Sequence, residues 1–490
     1  MSFSSVLFLA VFLPATLALY WLLPRRRAVQ NGVLLAASYL FFASWGPTAL
    51  PVLLAATGIN YALLAQLRRR GADGLPTAAR AVLILGLGYN LGQLFLLKYL
   101  GFFAGTVEAL VALGGGALSL PAVQLLLPIG LSFWTLQLCA YLVDVAYGRR
   151  PPPDSLLDYA LFAAFFPQIV SGPIPRGDLL DQMQQPRHPA AEAFARGGFA
   201  FLLGYTLKFL VAGTVSGVVD PVYAEPARYD AASHWLALYA YAMQIFGDFA
   251  GYSLMAIGLA ECFGLRLMEN FRFPFLARNI SDFWKRWHIS LTTLLFDYIY
   301  TPLVTGNGWM RGRLAAGLFV VLLVSGLWHG ATWMFVLWGG LPGLALVVAH
   351  RWAEHYRGWC RRDRRWVARR KTWTYVLTAW ALTQLWFLFS LIPFRAPDLA
   401  TAGQFLGGLF GAGGDARVPL GINISASFNM LVCLAFVVLY HGMATAPGQR
   451  LAGWLWRTPA PLRGVAYGLL IVYLFLFKPL SEGAFIYAQF

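Results

Sequence analysis

Residues 314–349 read LAAGLFVVLLVSGLWHGATWMFVLWGGLPGLALVVA. No Lys, Arg, Asp or Glu interrupts them, and one titratable side chain, His329, stands between the apolar runs Leu314–Trp328 and Met334–Ala349. Each run approaches the roughly 20 residues that cross a bilayer, so the stretch asks for lipid as its solvent. Working outward, similar runs occupy Ser4–Leu23, Val82–Leu97, Phe201–Val218, Tyr375–Pro393, Met430–Tyr440 and Val465–Phe477. Hydrophobic residues make up 59% of the 490 and charged residues 12%, against roughly 45–50% and 25% in soluble domains. The pattern predicts an all-α, polytopic integral membrane protein with about ten to twelve transmembrane helices.

The 37 Lys and Arg exceed the 21 Asp and Glu. In a soluble chain that excess would suggest nucleic acid. Here the basic residues sit in short loops at Arg25–Arg27, Arg68–Arg70, Arg149–Arg150, Arg351–Lys371 and Arg450–Arg463. That distribution follows the positive-inside rule and points to a lipid partner, with no nucleic acid expected. With these clusters in the cytoplasm, the N-terminus is external, and the charge-poor loops at 46–50, 101–120, 220–233 and 397–427 face outward. Met1–Ser5 lacks the basic n-region of a secretory signal, so the first apolar run reads as a retained span. Cys139, Cys262, Cys360 and Cys433 lie singly, and their spacing suggests neither a metal site nor a disulfide framework.

Three stretches of one membrane-embedded domain are expected. Residues 1–150 form peripheral spans, 154–350 a catalytic core and 372–490 the C-terminal spans. In the middle stretch the apolar pieces are cut by Pro, Gly and charge, as in Phe165–Gln168, Gly172–Arg176 and Phe273–Phe275. Irregular backbone at membrane depth is tolerated where it is buried in protein or lines a cavity, so this region reads as re-entrant segments and half-helices around an internal space. No internal repeat of the transporter kind is visible.

Ionisable residues within membrane segments are functional candidates by default. His329, in SGLWHGATW at 325–333, is the first. Small neighbours let a substrate approach its ring, Trp328 offers a pocket wall, and imidazole suits proton transfer from a hydroxyl. The competing reading is a buried histidine bonded to a backbone carbonyl. His288 is the second, at the end of DFWKRWH. If that block continues as one helix, Trp284 and Lys285 share a face with His288. Lys285 and Arg286 suit an anionic donor such as a coenzyme phosphate, or snorkelling to an interface. Asp248, inside QIFGDFAGY at 244–252, wants a cation, either substrate or a structural salt bridge. Asp144 and Lys208 read as structural, and His188, His234, His350, His355 and His441 as solvated. The chain has no GxSxG elbow, Walker loop or HExxH pair.

Several of these segments resemble the membrane-bound O-acyltransferase (MBOAT) family, in its bacterial alginate O-acetyltransferase branch, which is related to the D-alanyl transferase of lipoteichoic acid. They are LPIGLSF at 127–133, YLVDV at 141–145, FPQIVSGPIPR at 166–176, QIFGDFAGY at 244–252, DFWKRWHISL at 282–291, GLWHGA at 326–331 and AFIYAQF at 484–490. DFWKRWHISL and GLWHGA are the most specific. The resemblance puts His329 in the place of the family's catalytic histidine and His288 in that of its second active-site residue. It implies helices around a central tunnel in the bacterial inner membrane. It also implies a cytoplasmic acyl thioester such as acetyl-CoA as donor, with no resident cofactor or metal. The expected acceptor is an extracytoplasmic polysaccharide such as alginate, with a periplasmic acetyltransferase as partner. The sequence departs from the branch at Leu254, Phe296 and Val304–Thr305. A proton-coupled transporter and a non-catalytic scaffold are the rival readings.

Overall fold

A computed structural model describes residues 1–68, 77–121, 127–418 and 424–477. Arg69, Arg70 and the Ala484–Phe490 ending lie outside the described residues. Among those described, the chain is helical throughout, and its β structure is one isolated bridge between Tyr229 and Ala416. Seven helices among the described residues are long and apolar enough to cross a membrane: Pro47–Leu67, Ala79–Leu113, Ala191–Ala224, Ala231–Cys262, Trp333–Arg362, Trp373–Arg395 and Ala460–Phe477. The bent pair Met430–Gly442 and Ala446–Trp454 raises the number to eight if it is counted as one span. This is a multi-pass, all-α membrane protein.

Four further apolar helices among the described residues are short: Leu7–Leu22, Leu131–Ala146, Leu156–Ile169 and Leu314–His329. The last has 16 residues, so at about 1.5 Å per residue it falls short of a hydrocarbon core of about 30 Å. It ends at His329.

The chain forms two compact units. The first comprises Met1–Phe201 and Ser253–Met268. Several of its buried polar side chains pair with one another across helices. Asn60 and Asn90 exchange amide hydrogen bonds of 3.0 and 2.8 Å. Asn31 donates to Asp158 at 2.6 Å, and Arg27 pairs with the same carboxylate at 2.7 Å. Gly130 takes a left-handed φ of 69°, and a Cβ there would stand 2.1 Å from the Ile169 carbonyl oxygen. Glycine is the residue that permits both the turn and the approach.

The second unit comprises Leu202–Tyr252 and Glu269–Phe490. Within it Gly247 and Gly251 bring one backbone onto another. A Cβ on Gly251 would lie 2.6 Å from the Gly204 carbonyl oxygen, and one on Gly247 would lie 2.7 Å from that of Leu207. Between these glycines Asp248 pairs with Lys208. Lys208 belongs to a π-helical stretch, Thr206–Ala212, inside the longer helix.

Candidate active site

The Leu314–His329 and Trp333–Arg362 helices form a hairpin that glycine makes possible. A Cβ on Gly326 would stand 2.3 Å from the Phe335 carbonyl oxygen, and one on Gly339 would stand 2.5 Å from that of Leu322. At the turn, Gly330 is extended, and a Cβ there would meet the Phe335 ring at 2.1 Å. His329 is thereby held at a helix end, buried, with Trp338 and Trp328 each 4.9 Å away between ring centroids and Phe394 at 5.6 Å.

His288 reaches the same place by a different route. The sequence block does not continue as one helix. The Ile280–Trp284 helix, capped by the Asn279 side chain on the Asp282 amide, stops at Trp284. A new helix, Ile289–Leu295, begins after His288, whose φ of 47° and ψ of 51° are left-handed. Trp284, Lys285 and His288 therefore do not form a shared helical face. Non-glycine residues pay for this conformation, and such strain persists where the surroundings over-determine it. Here they do. Arg272 N–H donates to the Arg286 carbonyl and Ile289 N–H to the Asn270 carbonyl, each at 2.9 Å.

Asn270 also fixes the ring. Its Oδ1 accepts from Ser290 N–H at 3.1 Å and Ser290 Oγ at 2.9 Å, and lies 3.2 Å from His288 Nδ1. A backbone N–H can only donate, so the Asn270 atom at this point is the oxygen, and Nδ1 of His288 carries the proton. In the neutral ring the lone pair then belongs to Nε2. Phe249 packs edge-on against the imidazole at 4.5 Å.

The two histidines meet. Their ring centroids are 6.2 Å apart, with Trp328 5.8 Å from His288. Both line a cavity of about 20 Å³, together with Trp284, Trp287, Thr292 and Ser325. That is room for about one water in the absence of substrate. A larger apolar groove, about 940 Å³, is lined by residues such as Tyr239, Met243, Trp380 and Leu434. It has no ionisable acid, base or histidine in its lining apart from the Tyr239 phenol, which leaves the smaller cavity as the candidate site.

The other sequence candidates lie elsewhere. Lys285 is exposed, and Arg286 donates to Asp282 at 2.9 Å and to the Arg272 carbonyl at 3.4 Å. Neither lines the histidine cavity. Asp248 is buried against Lys208, one residue from Phe249. His234 and His441, read from the sequence as solvated, are buried. Each places Nδ1 against the carbonyl one helical turn earlier, at Asp230 (2.9 Å) and Val437 (2.8 Å), which partly offsets the cost of burial. Asn270, Phe249, Trp338 and Phe394 had no local sequence signal. Among the described residues no cluster of three or more His, Cys, Asp or Glu is arranged to hold a metal ion.

Residues 145–392, which hold all of these side chains from Phe249 to Trp338, match the family model described as MBOAT, membrane-bound O-acyltransferase family. The chain belongs to this family. This MBOAT protein is 36% identical over 450 residues to the probable alginate O-acetylase AlgI of Pseudomonas syringae pv. tomato, covering 91% of this chain and 81% of that one. Identity to the protein of the same name from Azotobacter vinelandii is 39% over 352 residues, with 71% and 68% covered. It is also 31% identical over 459 residues to the peptidoglycan O-acetyltransferase of Helicobacter pylori, covering 87% and 83%. Membership makes the protein an O-acyltransferase, and the buried histidine pair is its candidate centre.

Proposed function

We propose that this O-acyltransferase takes an acetyl group from a cytoplasmic thioester such as acetyl-CoA. It delivers the group across the bacterial inner membrane for O-acetylation of an extracytoplasmic polysaccharide such as alginate, with a periplasmic acetyltransferase as partner. The observation that carries the reading is the pair of buried imidazoles, His288 and His329, facing one small cavity. The relatives named for alginate and peptidoglycan O-acetylation support the acceptor class.

In this mechanism His329 is the general base. It takes the proton of an acceptor hydroxyl as that oxygen attacks the thioester carbonyl carbon. The tetrahedral intermediate then expels the thiolate, and His329 returns the proton to sulfur. One C–O bond forms and one C–S bond breaks, with no net change in protons. His288 presents Nε2 as an acceptor because Asn270 holds the proton on Nδ1, and this favours a positioning role over donation to an oxyanion. A sugar offers adjacent hydroxyls, so His288 holds one while His329 deprotonates its neighbour. Trp328 packs edge-on against both rings and helps hold them, without lining the cavity itself. Lys285 and Arg286, outside the cavity, hold the anionic part of the donor. Asp248 serves the site indirectly, by anchoring the backbone that carries Phe249.

The experiment uses sealed proteoliposomes with acetyl-labelled coenzyme A on one side, and the polysaccharide with the periplasmic acetyltransferase on the other. The proposal expects alkali-labile label on the polysaccharide. Thioester loss with no label across the membrane would contradict transmembrane delivery. Label accepted from other acyl thioesters but not from acetyl-CoA would contradict the donor.

A further inference from the structure

The Ala446–Arg457 helix does not follow the helices on either side of it. It leaves the apolar Met430–Gly442 helix at 102°, and the next helix, Ala460–Phe477, is long and apolar enough to cross a membrane. A short helix set across the direction of an apolar neighbour, and leading into a spanning one, is placed to run along the membrane plane.

Its side chains suit that position. At 100° per residue, Arg450 and Arg457 lie seven residues apart on one side, with Gln449 and Gly453 beside them. Leu451 projects from the other side, and Trp454 and Trp456 fall at the two borders between polar and apolar faces. Tryptophan prefers that boundary at a membrane surface. The apolar side chains are exposed in the protein: Leu451 by 49%, Trp454 by 63% and Trp456 by 39%. Arg463 adds a third cation. Its guanidinium lies over the Trp456 ring at 5.3 Å and donates to the Trp456 carbonyl at 3.3 Å. No Asp or Glu occurs between Asp415 and Glu482, so nothing within this segment neutralises the three arginines.

We infer that the Ala446–Arg457 helix lies in the surface of the inner leaflet and that Arg450, Arg457 and Arg463 bind the headgroups of acidic phospholipids. Charge complementarity selects the lipid, since a basic polar face opposite a Leu and Trp face is the composition of an in-plane helix on an anionic leaflet. Each arginine contributes to the preference for anionic over zwitterionic lipid by about fivefold. The cluster then has a role beyond setting topology. It makes the lipid composition around the C-terminal spans a determinant of their stability.

The test purifies the full chain into mixed micelles holding equal phosphatidylglycerol and phosphatidylcholine and counts retained lipids by native mass spectrometry. The wild type is expected to retain phosphatidylglycerol preferentially, and the triple variant Arg450→Gln, Arg457→Gln, Arg463→Gln to lose that preference. An unchanged preference in the variant would overturn the inference. So would displacement of the lipid by millimolar inorganic phosphate, which would mark a soluble-phosphate site. A second measurement does not depend on the arginines. In phosphatidylglycerol vesicles, with Cys262 and Cys360 replaced by Ser, Gly453→Cys is expected to react with an aqueous maleimide and Leu451→Cys to be protected. Equal reactivity of the two would also overturn it.

Discussion

The imidazoles of His288 and His329 stand 6.2 Å apart, with 61° between their planes, although 41 positions separate them in the chain. Each is delivered by a backbone feature with a cost. His329 depends on a hairpin that closes over glycine, and His288 on a left-handed residue held by Asn270.

The hairpin makes the first prediction. Gly326→Ala and Gly339→Ala each force a methyl into a carbonyl oxygen and are expected to leave little monodisperse protein by fluorescence-detected size exclusion. Gly340→Ala, whose nearest neighbour would be a Leu323 methyl at 3.8 Å, is the control and is expected to behave as wild type. Equal behaviour of the three would contradict the packing.

Asn270 makes the second. Its removal in Asn270→Ala leaves the Ser290 N–H and the His288 Nδ1–H without their acceptor, at about 1–3 kcal/mol for a buried group left unsatisfied. The melting temperature is expected to fall. Asn270→Asp keeps the acceptor and is expected to recover stability. The proposed role of His288 in positioning the acceptor predicts that the folded fraction of Asn270→Ala shows a raised KM for polysaccharide with a smaller change in KM for donor. Equal changes in both would contradict that role.

Asp248 makes the third. The carboxylate is buried against Lys208, so Asp248→Asn leaves a buried ammonium and is expected to destabilise by about 3–5 kcal/mol. Replacing both partners in Lys208→Met, Asp248→Leu is expected to restore much of the loss and a measurable part of the turnover. A direct substrate role for Asp248 predicts the opposite: a stable double variant with no turnover.

Much of this was legible in the sequence because the membrane makes charge conspicuous. In 314–349 a lone histidine among apolar residues marks itself, and LWHG sits where the hairpin turns. The pairing of Asp248 was readable as a need for a cation, though Lys208, 40 positions away, could not be singled out as its partner. The break at His288 was hidden, because DFWKRWHISL carries no Gly or Pro. Its left-handed turn is imposed by hydrogen bonds to Asn270 and Arg272, which belong to a different segment. The burial of His234 and His441 was hidden for a related reason. Each satisfies one nitrogen on its own helix, and the other side meets an aromatic ring distant in sequence, Phe405 for His234 and Phe275 for His441. Apolar composition marked the Leu314–His329 helix but did not reveal that it ends at His329, short of a full crossing.

The most direct test of the central claim compares wild type, His329→Ala and His288→Ala in lipid, following steady-state acetyl transfer to varied polysaccharide under saturating donor. Loss of a general base is expected to slow His329→Ala by about 10²–10⁴-fold, while His288→Ala shows mainly a raised acceptor KM with part of its kcat retained. Wild-type rates in His329→Ala, with the protein folded and donor bound, would contradict the account.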